Sequence, residues 1–270
     1  MRYLSINFRI NRRALLAMAI LILLLIVSYI FYYTIYGLAP ASTIDNIISI
    51  HNPTALDRII VFAPHQDDEV LGAGGYITKA TSVGATVYIV FATDGNHLGL
   101  KNTRASEALK VADILGVPSS QLIFYNLPDG QLTNKQDELR QKLLSTIDEV
   151  KPNIIFVTDT GDIHLDHGTL GQSVIAVNNQ TSTKAGIFTY LIHYPKYPRP
   201  QVLNPNLDLS PPTKFDTGSG IWQKFELSSA EVAQKRQAIS HYQSQLHIPF
   251  LRSLMLSFIR RNELFLKASQ

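Results

Sequence analysis

Residues Ala14 to Leu38, ALLAMAILILLLIVSYIFYYTIYGL, contain no charged side chain. A helix needs about 20 predominantly apolar residues to cross the hydrocarbon core of a bilayer. The run is long enough, so it predicts one N-terminal transmembrane helix rather than a buried helix of a globular core. Arg9, Arg12 and Arg13 stand just before it, and Tyr29, Tyr32, Tyr33 and Tyr36 gather toward its far end, as in an interfacial aromatic belt. Lys and Arg resist translocation, which places the N-terminus in the cytoplasm and the rest of this single-pass chain outside it. The alternative is a cleavable signal peptide, because Ala39-Pro40-Ala41 has a small-x-small pattern. The apolar core of a signal peptide is usually about 7–15 residues, which favours an uncleaved anchor here. The expected organisation is a basic cytoplasmic segment 1–13, an anchor 14–38, a stalk 39–55 and one domain 56–270.

The same segment accounts for the charge. The 270-residue chain carries a formal net charge of +3, yet Arg2, Arg9, Arg12 and Arg13 all precede the apolar run and no acid occurs before Asp45. Without those four, the 24 basic residues fall to 20, against 21 acids. The domain is near neutral and shows no basic stripe with interleaved aromatics, so nucleic acid is not an expected partner. The chain has no cysteine. Thiol catalysis, disulfides and Cys-ligated zinc are excluded, and any metal must be held by His and carboxylates.

Short apolar, β-branched runs at 58–63, 86–91, 122–125 and 153–158 read as buried strands. Helix-compatible stretches at 69–82, 104–115 and 135–150 lie between them. This alternation predicts an α/β fold with a Rossmann-like, mostly parallel sheet covered by helices on both faces. Ligands of such sheets sit beyond the carboxyl ends of the strands. Polar clusters after Ala63, Phe91, Tyr125 and Thr158 would therefore converge on one edge.

Two of those clusters carry metal-binding chemistry. His65-Gln66-Asp67-Asp68-Glu69 places an imidazole and three carboxylates directly after a strand. Ionised groups so close repel unless a cation or proton compensates. A helix N-terminus also favours acids, but it does not explain the His or the adjacent Asp pair. Asp162-Ile163-His164-Leu165-Asp166-His167 follows another strand and brings two imidazoles into one small loop or first helical turn. Alone these histidines read as solvated surface groups; beside the first cluster they read as metal ligands, since catalytic zinc takes three His or carboxylate ligands and keeps one position for water.

With these residues the chain resembles the PIG-L/LmbE-like family of zinc-dependent N-acetylglucosaminyl deacetylases. The family's His-Pro-Asp-Asp-Glu and His-x-Asp-His sequences stand here as His65-Gln66-Asp67-Asp68-Glu69 and His164-Leu165-Asp166-His167. Arg104-x-x-Glu107, Leu127-Pro128-Asp129-Gly130 and Lys235-x-x-Ala238-x-x-His241-x-x-x-Gln245 are similar to three further motifs, in the family's order. Gln66 and Leu165 replace the usual prolines, neither at a ligand position. The resemblance implies that His65, Asp68 and His167 bind Zn²⁺ or another divalent metal and that Asp67 is the general base. It implies further that protonated His164 stabilises the oxyanion, that Asp166 orients His164, and that Arg104 and Asp129 hold sugar hydroxyls. The expected activity is hydrolysis of the N-acetyl group of an N-acetylglucosamine-containing glycan or glycoconjugate, releasing acetate. Amide hydrolysis of another N-acyl amino sugar, or a non-catalytic sugar-binding module, are the alternatives.

Several features fall outside these motifs. His51, His97, His193, His241 and His247 read as surface or packing residues. Gly72-x-Gly74-Gly75 lacks a full dinucleotide fingerprint and predicts close helix–sheet packing instead. The apolar, basic stretch Phe250 to Phe265 either packs on the domain or lies on a membrane surface as an amphipathic helix.

Overall fold

The computed structural model describes residues 11–36, 42–212 and 221–268. Arg2, Arg9 and Ala39-Pro40-Ala41 lie outside the described residues, as do the side chains of Tyr33 and Tyr36. Helix α1, Arg12–Tyr36, is apolar on every side, and its large residues from Leu15 to Tyr32 are exposed. The globular core does not absorb it. It is long and apolar enough to cross a membrane.

After a single-turn α2 (Ser42–Asp45) and a two-residue β1 (Ile48–Ser49), the alternation begins; it is predicted as far as residue 158 and continues beyond it. It runs β2 (Arg58–Ala63), α3 (Asp68–Ser82), β3 (Thr86–Thr93), α4 (Lys101–Ile114), β4 (Leu122–Leu127), α5 (Gln136–Val150), β5 (Ile154–Thr158), α6 (Leu165–Asn178) and β6 (Gly186–Tyr190). Then follow β7 (Ile221–Glu226), α7 (Ser229–Ile239), α8 (Gln243–Leu246), α9 (Pro249–Ser257) and β8 (Asn262–Lys267). The eight strands form one sheet in the order β1-β7-β8-β6-β5-β2-β3-β4. All pairs are parallel except β6/β8 and β7/β8.

Strand β2 shows why the fold closes on two cores. Ile59, Val61 and Ala63 enter one apolar cluster with α3, α4 and α7, while Ile60 and Phe62 enter a second with α5 and α6. A strand buried on both faces must be apolar throughout, as Ile59 to Ala63 is. Two glycines set helix distances. A Cβ at Gly72 of α3 would meet the Tyr190 ring at 2.2 Å, and one at Gly171 of α6 would meet the Thr158 carbonyl at 2.3 Å. Both helices therefore sit against the sheet closely enough to fix their N-terminal turns. The Gly72 contact is the close helix–sheet packing expected from Gly72-x-Gly74-Gly75.

Partway along α3, the Gly75 and Tyr76 amides donate to the Glu263 carboxylate at 2.7 and 2.9 Å. Lys235 Nζ donates to Leu71 O at 2.9 Å and to Glu263 at 2.6 Å. Lys235 and Glu263 are each 1% exposed, so this pair clamps α3 from inside the protein.

Two expectations change. Residues 42–52, read as part of a stalk, pack on the domain: Ile44 and Ile50 are buried, and β1 pairs with β7. The cause is chemical, since these isoleucines find an apolar seat at the edge of the sheet. The stretch 250–265 packs on the domain, one of its two expected places, with Met255, Phe258, Ile259 and Phe265 buried, but it is not one helix. It divides into α9, a buried turn and the antiparallel strand β8.

Candidate functional site

Counted from β2, the strand order β4-β3-β2-β5-β6 reverses direction between β2 and β5. Connections leaving these two neighbours go to opposite sides, which opens a crevice at their carboxyl ends. The sequence fills that crevice with its two polar clusters. His65 to Asp68 turn from β2 into α3, and Asp162 to His167 lead from β5 into α6.

Three donor atoms meet there. His65 Nδ1 lies 3.2 Å from Asp68 Oδ2, His167 Nε2 lies 3.2 Å from the same oxygen, and the two nitrogens are 3.3 Å apart. A tetrahedral ion with ligands at about 2.0–2.1 Å spaces its donors by about 3.3–3.4 Å. The triangle therefore has the edge length that a zinc-sized ion requires. The donors are two nitrogens and one carboxylate oxygen, and all three residues are buried.

The far nitrogen of each imidazole also faces carboxylate. His65 Nε2 is 3.1 Å from Asp129 Oδ1 and 3.3 Å from Asp166 Oδ2. His167 Nδ1 is 3.2 Å from Asp162 Oδ2. Metal-ligating histidines characteristically donate their second N–H in this way, which fixes ring orientation and tautomer. Asp162 is itself held by the amides of Ile192, His193 and His164 at 3.0, 2.9 and 2.9 Å. Asp166 accepts from the Gly130 and Leu132 amides at 2.8 and 3.0 Å.

These contacts correct one sequence expectation and add protein partners to two other expected site residues. Asp166 does not orient His164; it joins the 130–132 turn to His65. Asp129 faces the same imidazole. Arg104 is 5% exposed and donates from Nη2 to Gln66 O at 2.8 Å and to Asp67 Oδ1 at 3.3 Å. It holds the turn that presents Asp67, because burial requires its charge to be paired.

Asp67 occupies a strained position. Its φ of 140° and ψ of −28° lie where a non-glycine residue is rarely found. The turn is pinned on every side: the Asp67 amide donates to Glu69 Oε2 at 3.0 Å, and Gln66 Nε2 donates to Thr93 O at 3.2 Å. Gln66 thus ties the turn to the end of β3.

Charge follows from packing. Burial pushes the Asp67 carboxyl up to about 7, against the pull of Arg104. Burial also opposes ionisation of Asp68 and Asp129, but the neighbouring imidazoles win: Asp68 is held well below the carboxylate range and Asp129 at about 2. Burial lowers His167, yet Asp68 and Asp162 raise it to about 9. The carboxylates so placed demand positive charge at the centre of the triangle. His164 goes the other way, because burial and the charge of His167 lower its pKa. Either ring form of His164 carries an N–H donor.

Sequence reasoning missed His193 and gave Asp162 no role. The His193 ring centroid lies 5.4 Å from that of His164 and 4.9 Å from that of His167. The usable signal was position, since His193 follows the carboxyl end of β6, the strand beside β5.

Residues 60–178 match the PIG-L family, described as GlcNAc-PI de-N-acetylase. The chain thus carries a segment that matches the PIG-L family model. The matched segment contains both polar clusters and the triangle they build. Among curated proteins, the diacetylchitobiose deacetylase of Thermococcus kodakarensis is 28% identical over 128 residues, covering 42% of this chain and 46% of that protein. The match thus spans about half the length of that relative. Among solved structures, N,N'-diacetylchitobiose deacetylase from Pyrococcus horikoshii superposes with a TM-score of 0.59 at 21% identity, covering 80% of this chain and 86% of the other. A 4-carboxy-2-hydroxymuconate hydratase from Pseudomonas putida KT2440 superposes with a TM-score of 0.55 at 16% identity, covering 75% and 83%. A hydratase and a deacetylase sharing this PIG-L-type architecture show that the fold alone does not choose the reaction.

Proposed function

We propose that the chain is a metal-dependent N-deacetylase that hydrolyses the N-acetyl group of an N-acetylglucosamine-containing glycan or glycoconjugate. One observation carries the reading: three buried donors at zinc-compatible spacing, each imidazole backed by a carboxylate, stand beside a strained, partly buried aspartate. His65, Asp68 and His167 hold the ion, which is Zn²⁺ by the nitrogen and oxygen donor set. When bound, such an ion polarises a carbonyl and lowers the pKa of water toward about 7.

The chain's own residues do the rest. Asp67 takes the proton from the attacking water and returns it to the leaving amine, with Arg104 fixing its carboxylate. A general base whose pKa lies near the working pH combines availability with driving force. His164 donates an N–H to the oxygen that gains charge in the tetrahedral transition state. A donor of that kind contributes roughly 2.7–4 kcal/mol. His193 packs beside His164 and limits the orientations of its ring.

In this proposal α1 is an uncleaved membrane anchor with 1–13 in the cytoplasm, and the deacetylase domain works outside it. Arg12 and Arg13 precede the apolar run with no compensating acid, which supports that orientation. The test is to offer the full chain a panel of acetylated amino sugars, from chitooligosaccharides to glycolipids, and to measure free amine. Amine formation identifies the substrate class. Sugar binding without amine would leave a non-catalytic module.

A further inference from the structure

Outside the candidate metal site, one surface combines exposed apolar residues with basic ones. Val202 and Leu203, on the loop after β6, are 51% and 39% exposed, and Phe250 at the start of α9 is 73% exposed. The loop and the helix are joined, since Ser253 Oγ donates to Gln201 O at 2.9 Å. The loop is also built from below. Arg260 is fully buried and donates to Pro200 O, Val202 O and Asn204 O at 2.7, 3.0 and 3.1 Å. An arginine anchored on three carbonyls holds these apolar side chains outward rather than letting them fold in.

Charge and position say what covers this surface. Lys196, Arg199 and Arg252 belong to the two segments, and no acid occurs between Asp166 and Asp208 or between Glu231 and Glu263. Lys196 Nζ sits 3.9 Å from the Tyr32 ring centroid and 5.5 Å from that of Tyr29. Those tyrosines lie at the far end of α1, where interfacial aromatics mark the headgroup level of a bilayer. The loop is therefore joined to the helix at the depth where a membrane surface would lie. Basic residues flanking protruding apolar ones are what an anionic interface attracts and inserts.

We propose that the 196–203 loop and the first turn of α9 form a bilayer-docking surface, with Val202, Leu203 and Phe250 inserted among the headgroups of an anionic leaflet. This rests on reading α1 as a membrane span and not on the deacetylase chemistry. The loop follows His193 directly, so docking holds the candidate site at a fixed height above the bilayer instead of letting it swing on a tether. The domain then acts on amino sugars presented at the membrane surface.

The absence of cysteine makes the test clean. Full-length Val202→Cys, Phe250→Cys and, as a control, Leu56→Cys are labelled with an environment-sensitive NBD dye. Leu56 is 91% exposed and lies next to β2 at the opposite end of the sheet. Each chain is reconstituted in vesicles of phosphatidylcholine and phosphatidylglycerol, and carbonate washing establishes insertion. The expected result is blue-shifted emission at 202 and 250, quenched by spin-labelled lipid, with a water-like, unquenched label at 56. Adding Lys196→Glu and Arg252→Glu should reduce quenching at 250. Carbonate-resistant chains with labels at 202 and 250 as water-exposed as at 56 would overturn the docking surface while leaving the span intact. Extraction by carbonate would overturn the span and the docking with it. Neither outcome bears on acetate release.

Discussion

Two His–Asp pairs sit at opposite ends of the same sheet and meet different fates. Beyond the strand carboxyl ends, His65, His167, Asp68, Asp162 and Asp166 are buried, and each of these carboxylates faces an imidazole. At the other end, His51 Nε2 lies 3.6 Å from Asp57, but the His51 side chain is 59% exposed. Asp57 is satisfied without it. The carboxylate accepts from the Thr54 amide and hydroxyl at 2.6 and 3.0 Å and from Asn153 Nδ2 at 2.7 Å. Burial alone would raise the Asp57 pKa; the bonds from Asn153 and Thr54 lower it instead. A carboxylate saturated by neutral donors ties strands together. A set of buried carboxylates answered only by imidazoles and a few amides needs a cation.

That contrast can be broken most sharply at His167. His167→Ala removes one corner of the triangle and leaves Asp68 and Asp162 facing each other without an imidazole. It should abolish metal retention, read by elemental analysis, and reduce turnover to background. Full occupancy in this variant would show that the ion sits elsewhere.

Asp67→Asn keeps the shape of the turn and removes the base. Turnover should fall by about two to four orders of magnitude with metal retained. The pH profile of the unmodified chain sharpens the same point. The base works only when ionised, so kcat/KM should rise with pH through its pKa. A bound cation beside Asp67 lowers the value of about 7 that burial sets, so the midpoint should lie at or below about 7. A rate that falls across that interval would exclude Asp67 as the base.

A smaller effect is expected one step out. Asp162→Asn leaves His167 in place but weakens the partner on its Nδ1. Metal affinity should drop by about 10–100-fold, measured by competition with a chelator. An unchanged affinity would mean that the carboxylate is structural, like Asp57.

The smallest effect on chemistry belongs to Asp57. Asp57→Ala should leave kcat and metal content unchanged and lower stability by about 1–3 kcal/mol in denaturant unfolding, the cost of unsatisfied buried donors. A loss of activity at constant stability would contradict the division between the two ends of the sheet.

Much of the site was legible because its ligands are local. His65 and Asp68 share one turn, His164 and His167 another, and an α/β alternation brings strand ends to one edge whatever the loops do. Strands β2 to β5 could be read because burial on both faces makes them continuous apolar runs. Strands β7 and β8 were not recognised: β8 carries buried polar groups such as Asn262 and Glu263, whose partners lie from 28 to 188 residues away in sequence. The partners of Arg104, Asp129 and Asp166 inside the protein could not be read for the same reason. What a charged side chain faces after folding depends on long-range contacts, here between the 65–67 turn, the 129–132 turn and the start of α6. His193 was overlooked because no neighbouring residue in sequence marks it; only the position of β6 beside β5 does.

The central claim is that metal held by His65, Asp68 and His167 is required for N-deacetylation. The direct measurement is acetate release from an acetylated amino sugar by the full chain, stripped with a chelator and then reloaded with Zn²⁺ in steps. The account predicts that release is abolished by stripping and returns in proportion to bound metal, saturating near one ion per chain. Undiminished acetate release from the stripped, metal-free chain would contradict it.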